Sequence, residues 1–525
     1  MGFSDAQRAL LASKGLSFII DEIEEQNRLQ DVDTDAMWLV IVAVFVFLMQ
    51  CGFAMLCAGL VRAKNTKNIL LKNVLDACVG ALGFWSVGYA FSYGQAGGGN
   101  PFIGNTYFFL TNFEGNDTYQ SWLFQFAFAA TAATIVSGSV AERTKMAAYL
   151  CYSFFLTAWV YPVVVHWVWS SAGWLSASNV NPLLGVGLVD FAGCGPVHMV
   201  GGISAICGAY VCGPRIGRYD SDGVLLDIPG HSSTLQVLGT FILWVGWYGF
   251  NPGSTLAVTG GLGAVAGKAA CTTTLSGAAG AVGCLIIFKV SSHAFDLGQT
   301  LNGVLVGLVS ITASCALVEP WAAVIIGLIG SVVYTALSEF VKRKLRIDDV
   351  VDAFAVHCGG GMWGLLAAGL FTTAENHQAA YGVAPGTPHG AFYAPIGQGH
   401  QIFTCAIVGI VVIWLWVGGI MLPFFTLMHH INWLRSTEEE ELAGMDVSKH
   451  GGSAYPDYVF TPSAAPVGFP SSKAGAQPAA SAAKAEAPPK GGGGKGAPKI
   501  EPEVEGESAR RTDEVRELSV ADVEA

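Results

Sequence analysis

Runs of predominantly apolar residues, most of them about 20 residues long, follow one another along this chain between residues 37 and 428. That length lets an α-helix cross the hydrocarbon core of a bilayer. With 52% hydrophobic and only 13% charged residues, the chain is too apolar for a soluble globular protein of its length. The sequence therefore predicts an all-α polytopic membrane protein in contact with the lipid bilayer. Its eleven predicted transmembrane helices lie near 37–60, 74–94, 122–141, 147–170, 193–213, 233–251, 269–288, 299–315, 320–341, 351–373 and 402–428.

Lys and Arg residues alternate between successive connecting segments and so predict the orientation of the chain. The segments after spans 1, 3, 5, 7, 9 and 11 carry them, whereas the intervening segments contain none apart from Lys268. Cytoplasmic loops hold the excess of Lys and Arg, which places the N-terminus outside and the C-terminus inside. The sequon Asn116-Asp117-Thr118 falls in a predicted outer loop, so Asn116 is a candidate glycosylation site.

Changes in composition predict four parts of the chain. The net charge of -12 comes largely from the two terminal parts, and the last part, rich in Ala, Pro, Gly and Lys, is predicted to be disordered. The Cys residues show no zinc-like spacing, so no metal site is predicted. No cofactor and no nucleic-acid partner are predicted either. The four parts are an extracellular N-terminal segment (1–36), an eleven-helix domain (37–430), a cytoplasmic regulatory tail (431–460) and a low-complexity acidic C-terminus (461–525).

Two histidines occupy equivalent places in an internal repeat. Spans 1 to 5 and 6 to 10 form two five-helix halves, and an odd number of spans per half inverts the second half relative to the first. The fifth span of each half begins alike, because Asp190 precedes His198 by eight residues and Asp349 precedes His357 by eight residues. Ionisable groups within membrane helices usually face a pathway. The repeat therefore predicts that both imidazoles meet at the centre and line a pore.

Other uses of these residues stay open. Cys194, one turn before His198, makes a metal site conceivable, but no fourth ligand is evident and Cys358, adjacent to His357, points elsewhere. Each aspartate precedes an apolar run, so helix N-capping competes with a direct role toward a substrate. Pro196, two residues before His198, predicts a kink in the fifth span.

The segment from Asp190 to Arg215 resembles the signature of the ammonium transporter (Amt/MEP/Rh) family. The resemblance extends over residues 37 to about 450, and residues 443–452 resemble in particular the tail of the plant-type branch. The matching residues of the signature are Asp190-Phe191-Ala192-Gly193-Cys194, Val197, Gly201-Gly202, Ala205-Ile206, Tyr210-Val211, Gly213 and Arg215. Further matching segments are Gly52 to Gly59, Arg62 to Asn65, Ala141 to Arg143, Gly246 to Ser254 and Val318 to Ala322.

The resemblance implies a transporter rather than an enzyme, with ammonium or ammonia as substrate and methylammonium as its analogue. It implies homotrimers with one pore per subunit, in the plasma membrane. An outer recruitment site is implied at Phe128, Trp169 and Ser254, and a gate of stacked rings at Phe128 and Phe250. The twin histidines lie below that gate, and the residues classed as structural or cation-stabilising are Asp190, Asp349, Asp352 and Trp247. Ser448 matches a tail position whose phosphorylation by a kinase is associated with closure.

The chemistry of the substrate favours deprotonation on the way. Ammonium, like a lysine amine, is protonated at neutral pH, and an isolated cation in a low-dielectric interior costs on the order of tens of kcal/mol. Contact of a cation with aromatic ring faces is worth only about 0.5 to 2 kcal/mol, which is far less than that cost. Neutral ammonia is therefore expected to cross the lumen while the proton moves separately, so that one net charge is transferred. The alternatives are an ammonium sensor of the same fold and an electroneutral channel for ammonia and carbon dioxide.

Overall fold

The computed structural model describes residues 7–8, 10, 13–15, 17–95, 99–113, 119–395 and 399–455. The regular secondary structure of these residues is helical, and no strand occurs among them. Each of the eleven predicted spans coincides with a helix. The helices are α1 (Ser17–Leu60), α2 (Ala63–Tyr93), α3 (Tyr119–Ser139), α4 (Met146–Trp169), α5 (Cys194–Cys212), α6 (Ser233–Gly253), α7 (Leu262–Ser292), α8 (Leu297–Ile311), α9 (Pro320–Leu345), α10 (Phe354–Phe371) and α11 (His400–His430).

Within the described ranges, nine of these helices are long and apolar enough to cross a membrane by length and composition. The other two are α6, with 21 residues, and α8, with 15 residues. At 1.5 Å per residue α8 is about 22 Å long, which is shorter than the hydrocarbon core of about 30 Å. The chain is thus an all-helical membrane protein, and the number and orientation of its crossings stay predictions.

Helix α1 begins well before its predicted apolar run at residue 37. It has 44 residues and continues without a break across the predicted boundary between residues 36 and 37. Asp35 ties this extension to the loop after α6, because its carboxylate accepts hydrogen bonds from the backbone N–H groups of Val258 (2.7 Å) and Thr259 (2.9 Å). The predicted glycosylation site at Asn116 and the predicted disordered part at 461–525 lie outside the described residues.

Helices in equivalent places of the two predicted halves pack against each other through small residues. Between α1 and α6, a Cβ atom on Gly52 would lie 2.7 Å from Leu243 Cγ. Between α5 and α10, a Cβ atom on Gly202 would lie 2.5 Å from the backbone nitrogen of Cys358. Glycine lets membrane helices approach this closely. The pairing of first with first and fifth with fifth helix is what an inverted repeat predicts.

Candidate functional site

Helices α5 and α10 begin with the same local structure, a π-helical turn whose first backbone N–H group donates to a preceding aspartate. Asp190 accepts hydrogen bonds from the backbone N–H groups at positions 193 and 194 (both 2.9 Å) and 195 (2.7 Å). Asp349 accepts one from Phe354 N–H (2.8 Å). Both carboxylates therefore satisfy helix N–H groups that lack intrahelical partners. These contacts are those of the N-capping alternative.

Pro196 lies in the first turn of α5, within the π-helical segment Cys194–Met199. An N–H group in the first turn has no intrahelical acceptor, so its absence at a proline costs the helix no hydrogen bond. The sequence predicted a kink here, and the structure has a widened turn that carries His198 at its end.

The two imidazoles meet at the centre of the bundle. His198 Nδ1 lies 3.2 Å from His357 Nδ1, and the ring centroids are 5.3 Å apart. His198 is fully buried and His357 is 5% exposed. A hydrogen bond between two Nδ1 atoms needs one donor and one acceptor, so two neutral rings share a single N–H. Among the described residues, His198 Nε2 has no hydrogen-bond partner.

A continuous aromatic column leads to this pair. Phe250 stacks on His198 with centroids 5.4 Å apart, and Phe128 stacks on Phe250 at 4.0 Å. Trp169 contacts Phe128 edge to face at 5.9 Å, and Trp247 stacks on His198 at 5.5 Å. Both phenyl rings are buried, so they close the path between Trp169 and the imidazoles. Trp247 is held in place because its indole N–H donates to the Thr312 hydroxyl (3.2 Å).

A cavity of about 250 Å³, here called the wide cavity, ends on this column. Phe128, Trp169, Ser254 and Asp190 are among the residues that line it. The Ser254 hydroxyl donates to the Phe250 carbonyl (2.8 Å), which leaves its oxygen free to accept an N–H group. The indole N–H of Trp169 donates to the Asp190 carbonyl (2.9 Å). The three predicted recruitment residues thus lie around one cavity, at the entrance to the column.

A much smaller cavity, here called the narrow cavity, adjoins His357 and has a volume of about 20 Å³. Phe53, Cys57, Thr134 and Gly138 are among its lining residues. A volume of 10–15 Å³ of this kind holds about one water molecule. The two cavities share none of their described lining residues. The rings of Phe128 and Phe250 and the two imidazoles lie between the wide cavity and the narrow cavity.

Gln125 and Tyr381 are among the residues that line the wide cavity and were not predicted. Gln125 precedes Phe128 by three residues in α3, so the helical period could have indicated it. Tyr381 comes from a short helix, Ala374–Tyr381, before α11. Lys268 fixes that helix because its ammonium group donates to Asn376 (2.6 Å) and pairs with Glu319 (3.0 Å). That helix has only eight residues and lies outside the predicted spans, so no sequence signal pointed to Tyr381.

The contacts of Asp352 and Cys194 bear on two roles that the sequence leaves open, a structural or cation-stabilising role for Asp352 and a metal site at Cys194. Asp352 accepts hydrogen bonds from Lys342 (2.7 Å) and from the hydroxyl of Ser338 (3.0 Å), and these contacts describe a structural ion pair. The Cys194 thiol donates to the Val309 carbonyl (3.1 Å) and accepts from Ala313 N–H (3.2 Å). In the described part of the chain, no group of three or more His, Cys, Asp or Glu residues is placed to hold a metal ion.

Buried ion pairs join the ends of the pore helices on the side opposite the wide cavity. Arg215, just after α5, pairs with Asp348 (2.8 Å), just before α10, and with Glu142 (3.5 Å) after α3. Burial raises a carboxyl pKa, but Arg215 and Arg62 hold the pKa of Glu142 below its ordinary value. Burial likewise opposes ionisation of Asp348, yet neighbouring guanidinium groups, including that of Arg215, hold its pKa well below the usual range.

The segment that carries Ser448 docks on the start of α2. Two short helices form it, α12 (Glu438–Ala443) and α13 (Met445–Lys449). Asp446 accepts hydrogen bonds from the backbone N–H groups of Lys67 and Asn68 (both 2.9 Å). The Ser448 hydroxyl is at an exposed position and donates to the Gly444 carbonyl (2.8 Å). The tail segment therefore contacts the eleven-helix domain through its buried aspartate.

Comparison with known proteins gives consistent matches over most of the chain. Residues 37–455 match the profile described as Ammonium Transporter Family. Ammonium transporter 1 member 3 of Solanum lycopersicum is 44% identical over 434 residues, covering 80% of this chain and 93% of that protein. Ammonium transporter 1 member 2 of Arabidopsis thaliana is 46% identical over 416 residues, covering 76% and 79%.

Solved structures with the same fold include a protein described as Sensor Amt Protein. It has a TM-score of 0.72 and 33% identity, covering 81% of this chain and 100% of that chain. Mep2 from Candida albicans has a TM-score of 0.69 and 26% identity, covering 81% and 90%.

Proposed function

This chain belongs to the ammonium transporter family, in its plant-type branch, and we propose that it carries ammonium across a membrane as ammonia and a separately moving proton. It is an integral membrane protein of a family of transporters rather than enzymes. The observation that carries the proposal is the aromatic column, which connects a partly polar cavity to two hydrogen-bonded imidazoles. We propose that the functional unit is a homotrimer in the plasma membrane.

Recruitment takes place in the wide cavity. The ring faces of Phe128 and Trp169 attract a cation by about 0.5 to 2 kcal/mol, and the Ser254 oxygen accepts one N–H group. This gathers ammonium at the column but falls far short of the tens of kcal/mol, on an order-of-magnitude estimate, that an isolated cation costs in an apolar interior. Deprotonation at the gate therefore precedes passage.

Ammonia crosses when the stacked rings of Phe128 and Phe250 move aside. Beyond them the imidazole pair offers one hydrogen-bond donor and one acceptor, which suits a neutral molecule with both functions. The contacts of Asp190 and Asp349 support a positioning role, in which each carboxylate fixes the helix start that carries one imidazole.

Paired flux and current measurements test this function. The purified full chain in proteoliposomes should take up isotopic methylammonium, and ammonium should evoke a current of matching size. Uptake without current would support the electroneutral ammonia and carbon dioxide channel. Binding of ammonium by the purified chain without uptake would support the sensor alternative. One of the similar solved structures is described as a sensor, and this likeness is the reason to test that alternative. Growth of a transport-deficient host on low ammonium provides an independent readout.

Trp169→Leu should weaken recruitment and leave later steps intact. Loss of a cation–aromatic contact of about 1 kcal/mol raises the KM for ammonium roughly fivefold, with little change in maximal rate. The measurement is the concentration dependence of the evoked current. Trp433→Leu, an exposed tryptophan after α11, is the control. A changed maximal rate with an unchanged KM would remove Trp169 from recruitment.

Ser448→Asp should lower transport at least about fivefold, because added charge beside Asp446 weakens docking of the tail segment. The assay is methylammonium uptake normalised to the amount of protein in the membrane. Ser291→Asp, at an exposed serine near the end of α7, introduces the same charge elsewhere. Normal transport by the Ser448 variant would argue against a phosphorylation switch at this position.

A further inference from the structure

A second buried polar cluster lies away from the aromatic column. Helix α2 contributes Lys72 and Asp76, one turn apart, and α4 contributes Tyr149, and all three residues are fully buried. The Tyr149 hydroxyl donates to an Asp76 carboxylate oxygen. Lys72 Nζ donates to the Thr144 carbonyl (2.7 Å) and lies 5.2 Å from the centroid of the Tyr149 ring. Ionisable groups inside membrane helices are costly and mark pathways by default, and the column makes no use of these.

One end of the cluster reaches the wall of the narrow cavity. Gly138 lines that cavity beside His357, and the neighbouring Ser137 places its hydroxyl 3.5 Å from Asn73 Oδ1. The Ser137 side chain also lies beside that of Tyr149. Cys57, on the cavity wall, lies within electrostatic range of Asp76. The cluster therefore begins one residue behind the lining of the pore.

The other end reaches a cavity of about 350 Å³, here called the basic cavity. Asn68, Lys145, Lys449 and His450 are among the residues that line it. Lys145 directly follows the residue that Lys72 contacts, and Asn68 lies one turn before Lys72 in α2. His450 Nε2 is 2.8 Å from the Asn68 side-chain amide, and His450 lies within electrostatic range of Lys72.

We propose that this cluster carries the proton from the narrow cavity to the basic cavity while ammonia follows the axis of the pore. The inference rests on the proposed function, since only a transporter that separates ammonia from its proton needs a second route. Hydroxyl, phenolic, acidic and ammonium groups therefore lie between the two cavities, at Ser137, Tyr149, Asp76 and Lys72. Among the described residues, the other titratable groups near Lys72, Asp76 and Tyr149 are Arg143, Cys57, Cys212, Tyr152 and His450.

Over one transport cycle, each proton that a group in the relay takes up is matched by a proton that it releases. Ammonium at the phenyl gate loses one proton and becomes ammonia, and the imidazole pair takes up that proton when the two rings move aside. His357 gives a proton toward Ser137 and Tyr149, Tyr149 passes one to Asp76, and Lys72 releases one into the basic cavity as it takes one from Asp76. Each hop breaks one N–H or O–H bond and forms another, so every side chain regains its starting state. Ammonia and the proton then recombine on the far side, with net movement of one positive charge.

Two variants interrupt the route differently. Tyr149→Phe removes only a hydroxyl, whereas Lys72→Met combined with Asp76→Asn removes both charges, so that neither is left buried and unpaired. The full chain is reconstituted in proteoliposomes, and the ammonium-evoked current is divided by isotopic methylammonium uptake from the same preparation. Both variants should lower this ratio about tenfold, equivalent to roughly 1.4 kcal/mol on the proton-transfer step, because a proton that cannot enter the cluster returns to the wide cavity while ammonia still crosses. Tyr161→Phe, which removes another buried hydroxyl from α4, should keep the wild-type ratio.

The outcomes separate this inference from the proposed function. A wild-type chain without uptake overturns the proposed function itself. Wild-type uptake without current overturns the relay alone, because no proton then needs a route. An unchanged ratio in both variants also overturns the relay. If Tyr149→Phe loses uptake and current in equal measure, the cluster has a structural role and the relay is again overturned.

Discussion

Replacing His198 and His357 together with Ala should lower the initial rate of methylammonium uptake at least about tenfold, equivalent to roughly 1.4 kcal/mol or more of lost transition-state stabilisation. The Nδ1 atoms are 3.2 Å apart, and each imidazole supplies the other's hydrogen-bond partner. The double variant removes both the donor and the acceptor that ammonia meets beyond the phenyl gate. It also removes the ring on which Phe250 and Trp247 stack.

The single variants and a control sharpen this result. Each single replacement leaves one imidazole without its partner, so both should impair uptake, and their effects should not add in the double variant because the two rings act as a unit. His293→Ala, at the exposed end of α7, is the control and should keep wild-type kinetics. Unchanged uptake in the double variant would remove the histidines from the mechanism.

Arg215→Leu should lower the free energy of unfolding by about 3–5 kcal/mol, because removal of one partner leaves the others as uncompensated buried charges. The Arg215 side chain is 2% exposed, and its partners Asp348 and Glu142 are fully buried. Since the bridge joins the end of α5 to the start of α10, its loss should also reduce uptake per folded molecule. Thermal unfolding in detergent measures the first effect and flux the second.

An exposed ion pair provides the matched control. Arg343 pairs with Glu339, and both side chains are about half exposed, so Arg343→Leu should change stability by only about 0–1 kcal/mol. A similar loss in both variants would contradict the role given to burial.

The same network gives stability a defined dependence on pH. The pKa values of Glu142 and Asp348 are lowered in the folded protein, so their contribution is present above the ordinary carboxyl pKa. That contribution is lost as the pH falls through the lowered values.

Structural features that depend on short stretches of sequence could be predicted. The apolar runs located the helices because length and hydropathy are properties of the segment itself. The spacing from Asp190 to His198, repeated from Asp349 to His357, indicated the imidazole pair because an inverted repeat maps one half onto the other. The arrangement of Phe128, Trp169 and Ser254 came from the resemblance alone, since aromatic residues in a membrane span are usually packing.

Features that depend on tertiary contacts were not predictable. The extension of α1 to Ser17 rests partly on Asp35, which is bound by a loop more than 200 residues away in the sequence. Tyr381 reaches the wide cavity because Lys268 fixes its short helix from another part of the chain. The cluster of Lys72, Asp76 and Tyr149 likewise joins two helices whose polar residues look isolated in the sequence.

The unequal sizes of the two cavities have a consequence for the symmetry of flux. The imidazoles are equivalent members of a repeat, so the central barrier itself prefers neither direction. The three proposed recruitment residues line the wide cavity of about 250 Å³, and the described lining of the narrow cavity, of about 20 Å³, includes none of the three. Detailed balance requires equal ratios of maximal rate to half-saturating concentration in both directions when no driving force acts. We therefore expect transport from the wide side to saturate at lower ammonium concentration, with a proportionally lower maximal rate, than transport from the other side.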